Sequence, residues 1–222
     1  MLNTIDTSAP VTGLSDIRQR ILQRIPETKM LLDRRNQSKW DTRLEQKFEA
    51  RIKQIFHSLV NSNISVNVDN LLFPQQAPEK HWWHWLEIFK GESLSIGLMG
   101  LDPKKPVPLH DHPDTHAILI IVSGTVIINQ YDIRDISKCR DQILQLRQIR
   151  SREQSSGEVS IAYPHYSNIH ALHCVSNSAF LLSLQFKNSQ AAVAAAGKSW
   201  YFPLFPQLES QRDIWVKRLH LH

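Results

Sequence analysis

Two cysteines, Cys139 and Cys174, in a chain of 222 residues are too few for a disulfide framework. So sparse a thiol content points to a reducing compartment, of which the cytoplasm is the simplest. No apolar run reaches membrane-spanning length. The opening residues Met1-Leu2-Asn3-Thr4-Ile5-Asp6 lack the basic-then-apolar pattern of an export signal. Internal repeats and long low-complexity tracts are absent as well. The net charge of +5 raises anions or nucleic acid as partners. No helix-turn-helix, zinc-finger or RNA-binding signature accompanies it. Its basic residues gather at Arg18, Arg20, Arg24, Arg34 and Arg35, and again at Lys138, Arg140, Arg147 and Arg150, with acidic residues interleaved in both. That pattern describes solvated faces. With 41% hydrophobic residues, a single domain with a sizeable core is expected.

The apolar periodicity changes along the chain. Ser15 is placed to cap a helix carrying the stripe Ile17, Ile21, Leu22 and Ile25, which Pro26 should end, with a short helical piece at residues 30–32. Asp41 precedes a second stripe, Leu44, Phe48, Ile52, Ile55, Phe56 and Leu59, at spacings of three and four. Strand-like alternation begins at residues 64–68, and residues 71–78 form a proline-punctuated loop. From there to about Phe186 short apolar runs alternate with turns, as in a jelly-roll barrel. Three stretches are therefore expected. Residues 1–80 form a helical extension, residues 81–190 a β-barrel, and residues 191–222 a segment packing back on it through Trp200, Tyr201, Phe202, Leu204 and Phe205.

The chemistry concentrates in Pro108-Leu109-His110-Asp111-His112-Pro113-Asp114-Thr115-His116. Two imidazoles two residues apart on an extended strand project to the same face, so one strand can offer both to a divalent metal. The run 117–122, the turn Ser123-Gly124 and the run 125–128 read as strand, turn, strand. The spacing alone is weak: eleven histidines in 222 residues give about half such a pair by chance. His220-Leu221-His222 has the same spacing on a charged terminus, where a solvated tail is the reading.

A third ligand must come from elsewhere. Residues 157–162 read as a strand, 163–168 as a turn and 169–175 as the next strand, followed by another at 179–186. On a regular strand His170, Leu172 and Cys174 face one way and Ile169, Ala171 and His173 the other. Only one of His170 and His173 can then serve the site, and the pattern favours neither.

The stretch from Met99 to Asp132 resembles the first conserved motif of cupins, through Pro108-Leu109-His110-Asp111-His112-Pro113, Asp114-Thr115-His116 and Ser123-Gly124-Thr125-Val126. Within cupins it is most similar to the thiol dioxygenases, meaning cysteine dioxygenase and the aminoethanethiol dioxygenase and plant cysteine oxidase group. Asn168-Ile169-His170-Ala171-Leu172-His173-Cys174-Val175 resembles that family's third-ligand strand, with the ligand falling on His170. The likeness spans roughly residues 84 to 187. It implies a mainly β fold, a cupin jelly-roll barrel with a helical N-terminal extension. It also implies Fe(II), or another divalent first-row metal, held by His110, His112 and His170. The implied reaction is oxidation of a thiol to a sulfinate by O2, the partners being a small-molecule thiol or an N-terminal-cysteine peptide.

Most cupins place a Glu four residues after the second histidine; here that position is His116, either a buried core histidine or a fourth ligand. Three neutral imidazoles would leave the metal charge undiminished, which favours a thiolate at the ion. Around the metal, Asp111, His116 and His173 are the candidate supporting or catalytic residues, Asp111 by orienting a ligand imidazole. The expected pocket residues are Trp83, Trp85, Tyr163, Cys174 and Lys187. The tryptophans either wall an aromatic pocket suited to an apolar or cationic substrate or fill the core beside His84. Cys174 shares the parity of His170, with a small buried apolar role as the alternative.

The departures from the family concern its substrate-binding groups. Residues 81–89 contain no arginine to pair a substrate carboxylate, and Ala117 stands where cysteine dioxygenase has its cross-linked cysteine. Lys187 falls near that enzyme's tyrosine, while Leu182 and Asn188 replace the aspartate and tyrosine of the aminoethanethiol group. Two other classes therefore stay open: a metal-dependent cupin that binds or senses a ligand without turnover, and another cupin enzyme such as an isomerase or ring-cleaving oxygenase.

Overall fold

The computed structural model describes residues 14–36, 42–60, 83–103, 105–134, 142–164, 166, 168–187, 199–205 and 212–220. Expectations for the alternation at 64–68, the loop at 71–78 and Cys139 fall outside the described residues.

Among the described residues two helices come first, α1 (Leu14–Asn36) and α2 (Thr42–Val60). Among the described residues, eleven strands follow: β1 (Trp83–Lys90), β2 (Leu94–Leu101), β3 (Val107–His110), β4 (Thr115–Ser123), β5 (Thr125–Ile133) and β6 (Ile143–Ser155). The rest are β7 (Val159–Ala162), β8 (Ile169–Cys174), β9 (Ala179–Lys187), β10 (Ser199–Pro203) and β11 (Asp213–His220). The fold is mainly β, a jelly-roll barrel with a helical N-terminal extension. The Ser123-Gly124 turn sits where expected, Gly124 adopting φ +79°, a conformation open to glycine. Two expectations fail. Helix α1 already includes Leu14, so Ser15 lies inside it and is not its cap. Pro26 does not end α1, which runs through it, because Ile17 and Ile21 before it and Thr28 and Leu32 after it are all buried on one continuous face. Packing of that face outweighs the hydrogen bond lost at proline.

One sheet has the order β1-β2-β9-β4-β7. Strands β2, β9, β4 and β7 are buried on both faces, which explains near-continuous apolar runs such as Ile118 to Val122. The outer face (Ile96, Leu98, Ile118, Ile120, Ile161, Phe180, Leu182, Leu184 and Phe186) packs beneath Ile17, Ile21, Phe48, Ile52 and Phe56 of the helices. The docking of α2 is reinforced by Arg150 of β6, which donates to Glu45 and Glu49 at 2.8 and 2.7 Å. Burial lifts the Glu45 carboxyl above its ordinary range even against Arg150. Arg150 itself, served by two carboxylates, is held more firmly cationic.

The remaining strands close into a six-membered ring, β10-β11-β6-β5-β8-β3. Alternation gives strands β3 and β8 two largely buried faces. On β8, Leu172 and Cys174 join Val126, Ile128, Leu119, Ile121 and Leu181 in the space between the two sheets. Ile169 and Ala171, on the opposite face, join Leu109, Tyr131, Leu144, Leu146, Tyr201, Ile214 and Val216 inside the ring. The C-terminal hairpin β10–β11 is thus a wall of the ring, pairing with β6 on one side and β3 on the other.

Candidate metal centre

His110, His112 and His170 converge at one end of the inter-sheet space. Their ligand-capable nitrogens all lie within 4.8 Å of one another, and the three residues are 5%, 6% and 2% exposed. His110 and His170 are direct cross-strand partners on β3 and β8, with ring centroids 4.4 Å apart. His112 lies just past β3, its ring 5.0 Å from His110 and 5.2 Å from His170. Its backbone enters the turn His112-Pro113-Asp114-Thr115, closed by Thr115 N donating to His112 O at 3.1 Å. Proline presets φ at the second position, and Asp114 takes the left-handed conformation (φ +52°) at the third.

Hydrogen bonds decide which ring nitrogens can serve a metal. His110 Nδ1 lies 2.9 Å from Pro108 O, and His170 Nδ1 lies 3.1 Å from Asn168 O. A carbonyl oxygen only accepts, so each Nδ1 carries the proton and each Nε2 keeps its lone pair. That is the tautomer a metal requires, fixed by the outer contact that ligating histidines generally make. Asn168 also holds the third histidine. Its Oδ1 accepts from His112 N at 3.0 Å, and its Nδ2 donates to His112 O at 3.1 Å. Three neutral nitrogen donors, buried and close together, fit a first-row divalent ion. Among the described residues, no carboxylate belongs to the group.

The other candidates scatter. His173 faces away, exposed on the opposite side of β8, as the strand period requires. His116 falls on the helix-covered face of β4, paired with Phe186 and in edge contact with Tyr163, ring centroids 6.0 Å apart. It is a buried core histidine, outside the group of three. Tyr163 is corrected too: it packs under α2 against Phe48 at 6.3 Å, in the helix-side core. Cys174 does share the face of His170, but Leu172 intervenes, and the thiol lies in the apolar core, donating to Ser176 O. The Asp111 carboxylate is engaged away from the three imidazoles. It points into the ring, accepting from Ser199 N and Tyr201 Oη at 2.8 Å each. The alternation that turns both imidazoles toward the space between the sheets turns the residue between them to the ring side.

Trp85 shares the inner face of its sheet, paired with Met99, its ring lying across Gly97. A Cβ at Gly97 would come within 2.0 Å of that ring, so glycine there makes room for it. At 41% exposure Trp85 forms a rim on edge strand β1 and not an enclosed wall. Trp83 pairs with Leu101 at the far end of β1. Lys187 ends β9 opposite Thr115 and is exposed.

Register places further residues in the chamber that sequence reasoning missed. Gln130 is the cross-strand partner of His170 on β5; it is 1% exposed and donates to Ile161 O at 3.0 Å. Facing sheet positions alternate to give Ser183, Ser160, Gln185, Gly97, Ala117 and Ala162 on the inner face. Serines among Leu and Ile on β7 and β9 were the available signal. Trp200, paired with His110 across β10 and β3, holds its ring 5.1 Å from that imidazole. Among the described residues, the cations of this face are ion-paired or exposed. Lys90 is 3.8 Å from Glu87, Arg150 and Arg152 are held by Glu49, and Lys187 lies at the rim.

A family model, PCO_ADO, the thiol dioxygenase family of cupin fold, matches residues 53–185. The chain belongs to the PCO_ADO family. The match to PCO_ADO starts within α2 and ends in β9, taking in all three histidines and Asn168 but not the hairpin β10–β11. Similar solved structures include an uncharacterized conserved protein with a double-stranded β-helix domain from Klebsiella pneumoniae. It is 14% identical over 59% of this chain and 90% of that one, with a TM-score of 0.41. A cupin superfamily protein from Desulfitobacterium hafniense is 13% identical over 51% of this chain and 84% of that one, with a TM-score of 0.36. No curated protein matches the chain.

Proposed function

We propose that the protein is an iron-dependent thiol dioxygenase, converting a thiol and O2 to a sulfinate at His110, His112 and His170. The observation that carries this reading is a buried three-nitrogen donor set which, among the described residues, includes no carboxylate, in a chain of the PCO_ADO family. Fe(II) held there would supply coordination positions for thiol sulfur and oxygen together and would favour the thiolate. The chain's own residues do the rest. Pro108 O and the Asn168 backbone hold the protons of two imidazoles away from the centre. The apolar core around Leu119, Ile121, Leu172 and Leu181 closes the far end against water. Gln130, Ser160, Ser183 and Gln185 give a neutral, hydrogen-bonding surround.

That neutrality bears on the substrate. A carboxylate inside the chamber would need a paired cation, because an unpaired buried charge is costly. Lys187, exposed at the rim, would offer a point charge and not a bidentate fork. A thiol lacking that carboxylate, or a larger molecule whose carboxylate stays outside, fits better. Oxygen uptake by the iron-loaded protein is to be compared on aminoethanethiol, cysteine, 3-mercaptopropionate and an N-terminal-cysteine peptide. Thiol-dependent uptake with sulfinate formation and aminoethanethiol ahead of cysteine is the expected result. No uptake with any thiol under conditions that keep iron reduced would overturn the reaction, and tight binding without turnover would favour a sensing role. A strong preference for cysteine, abolished by Lys187→Ala, would overturn the pocket assignment alone.

A further inference from the structure

We propose that the hairpin β10–β11 is a positioning element of the histidine centre, with Asp111 as its point of attachment and Tyr201 as the group that locks it. The proposal rests on the reading of the three histidines as metal ligands. Its starting point is the weakness of β3. That strand has four residues, its register to β8 shifts between Val107 and His110, and His112 lies beyond its end. From the β8 side Asn168 holds the His112 backbone. From the other side the holding is done by β10.

Asp111 N donates to Ser199 O at 3.1 Å. In return the Asp111 carboxylate accepts from Ser199 N and from Tyr201 Oη, both at 2.8 Å. Tyr201 is 1% exposed among Leu109, Leu144, Leu146, Ile214 and Val216, so its hydroxyl is presented from a packed ring core. Burial, and then the neighbouring Asp111 charge, raise the Tyr201 phenol far above its ordinary range, so it is a donor throughout the working pH range. Arg218 of β11 completes the arrangement, its Nε donating to Ser199 Oγ at 3.0 Å and its Nη2 standing 3.8 Å from Asp111. Between Ser199 and Tyr201, Trp200 turns to the other side and meets the His110 ring. Consecutive residues of β10 therefore engage consecutive residues of the metal motif from both faces. Because Asp111 is flanked by two of the three ligands, a rotation of its backbone displaces both imidazoles at once. Charge-assisted bonds of this kind are the stronger class, and contacts behind metal ligands commonly change metal affinity by about 10–100-fold.

Cobalt(II) titration of the full chain, followed by its visible bands, tests this. Wild type should bind one cobalt per chain. Tyr201→Phe, which keeps the ring and removes only the hydroxyl, should weaken binding by about tenfold or more and shift the bands, with near-UV circular dichroism of the metal-free protein unchanged. Arg218→Gln, at the half-exposed edge, should weaken binding in the same direction by less, and it serves if Tyr201→Phe does not fold. Leu98→Ala, buried in the helix-covered core and outside the ring that packs Tyr201, should lower thermal stability and leave cobalt affinity and bands as in wild type. Wild-type affinity and bands in the Tyr201 and Arg218 variants would overturn the proposal, as would an equal loss in Leu98→Ala. A wild type that takes up no cobalt would overturn the metal reading and this proposal with it.

Discussion

The two ends of the space between the sheets are built by the same strands and differ completely in chemistry. At one end β8 contributes Leu172 and Cys174, β5 contributes Val126 and Ile128, and the facing sheet adds Met99, Leu101, Leu119, Ile121 and Leu181. At the other end β8 contributes His170, β5 contributes Gln130, and the facing sheet has Ser160, Ser183 and Gln185. Positions two residues apart on one strand, sharing one face, thus serve a packed core in one case and a polar chamber in the other. The site is created by ending the apolar filling early, while the fold is held by cores elsewhere: the helix-covered face and the ring interior.

The largest expected effect breaks the polar end. His170→Ala should strip the metal, and His173→Ala, on the exposed side of the same strand, should keep it. Metal content per chain, with circular dichroism to exclude unfolding, checks both. Full retention in the His170 variant would overturn the assignment. The apolar end should respond in the opposite sense. Leu172→Ala, at a 1% exposed position, should cost about 2–5 kcal/mol of folding stability and leave metal per folded chain unchanged. Denaturant unfolding of the metal-free protein measures it, and a cost below about 1 kcal/mol would mean that the apolar end is loosely packed.

The smallest effect sharpens the contrast by titration. Burial raises the Cys174 thiol above its ordinary range, hydrogen bonds involving Ser176 opposing only in part. The unfolded chain therefore loses this proton at lower pH than the native one. Between those two values the native state binds more protons, so stability falls as pH rises above about 8.5, the ordinary thiol value. In a Cys139→Ser background, thiol labelling of the native protein at pH 8 should be much slower than that of the denatured chain. Equal rates would place Cys174 in an open, polar setting and dissolve the distinction between the ends.

Much was legible beforehand because strand geometry is local. The parity that separates His170 from His173 follows from a two-residue period, and the Ser123-Gly124 turn follows from a backbone conformation suited to glycine. The His-Asp-His spacing placed two imidazoles on one face for the same reason. Helix α1 was misjudged at Pro26 because a local penalty was weighed without the tertiary burial of Ile21 and Leu32. The place of Tyr163, and the choice between core histidine and fourth ligand for His116, are not legible locally, because parity on β4 and near β7 is set by which sheet face the helices cover. No periodicity within the strand reports that.

The sequence by itself determined the alternation of each strand, the motif chemistry and the donor set on offer, since each depends on neighbours in the chain. Tertiary structure decided what each face meets. Ring closure by β10 brings Tyr201 to Asp111, ninety residues apart, and the pairing of β3 with β8 brings His110 to His170. Such contacts depend on long-range register, which is selected by burying every apolar face of the whole chain at once.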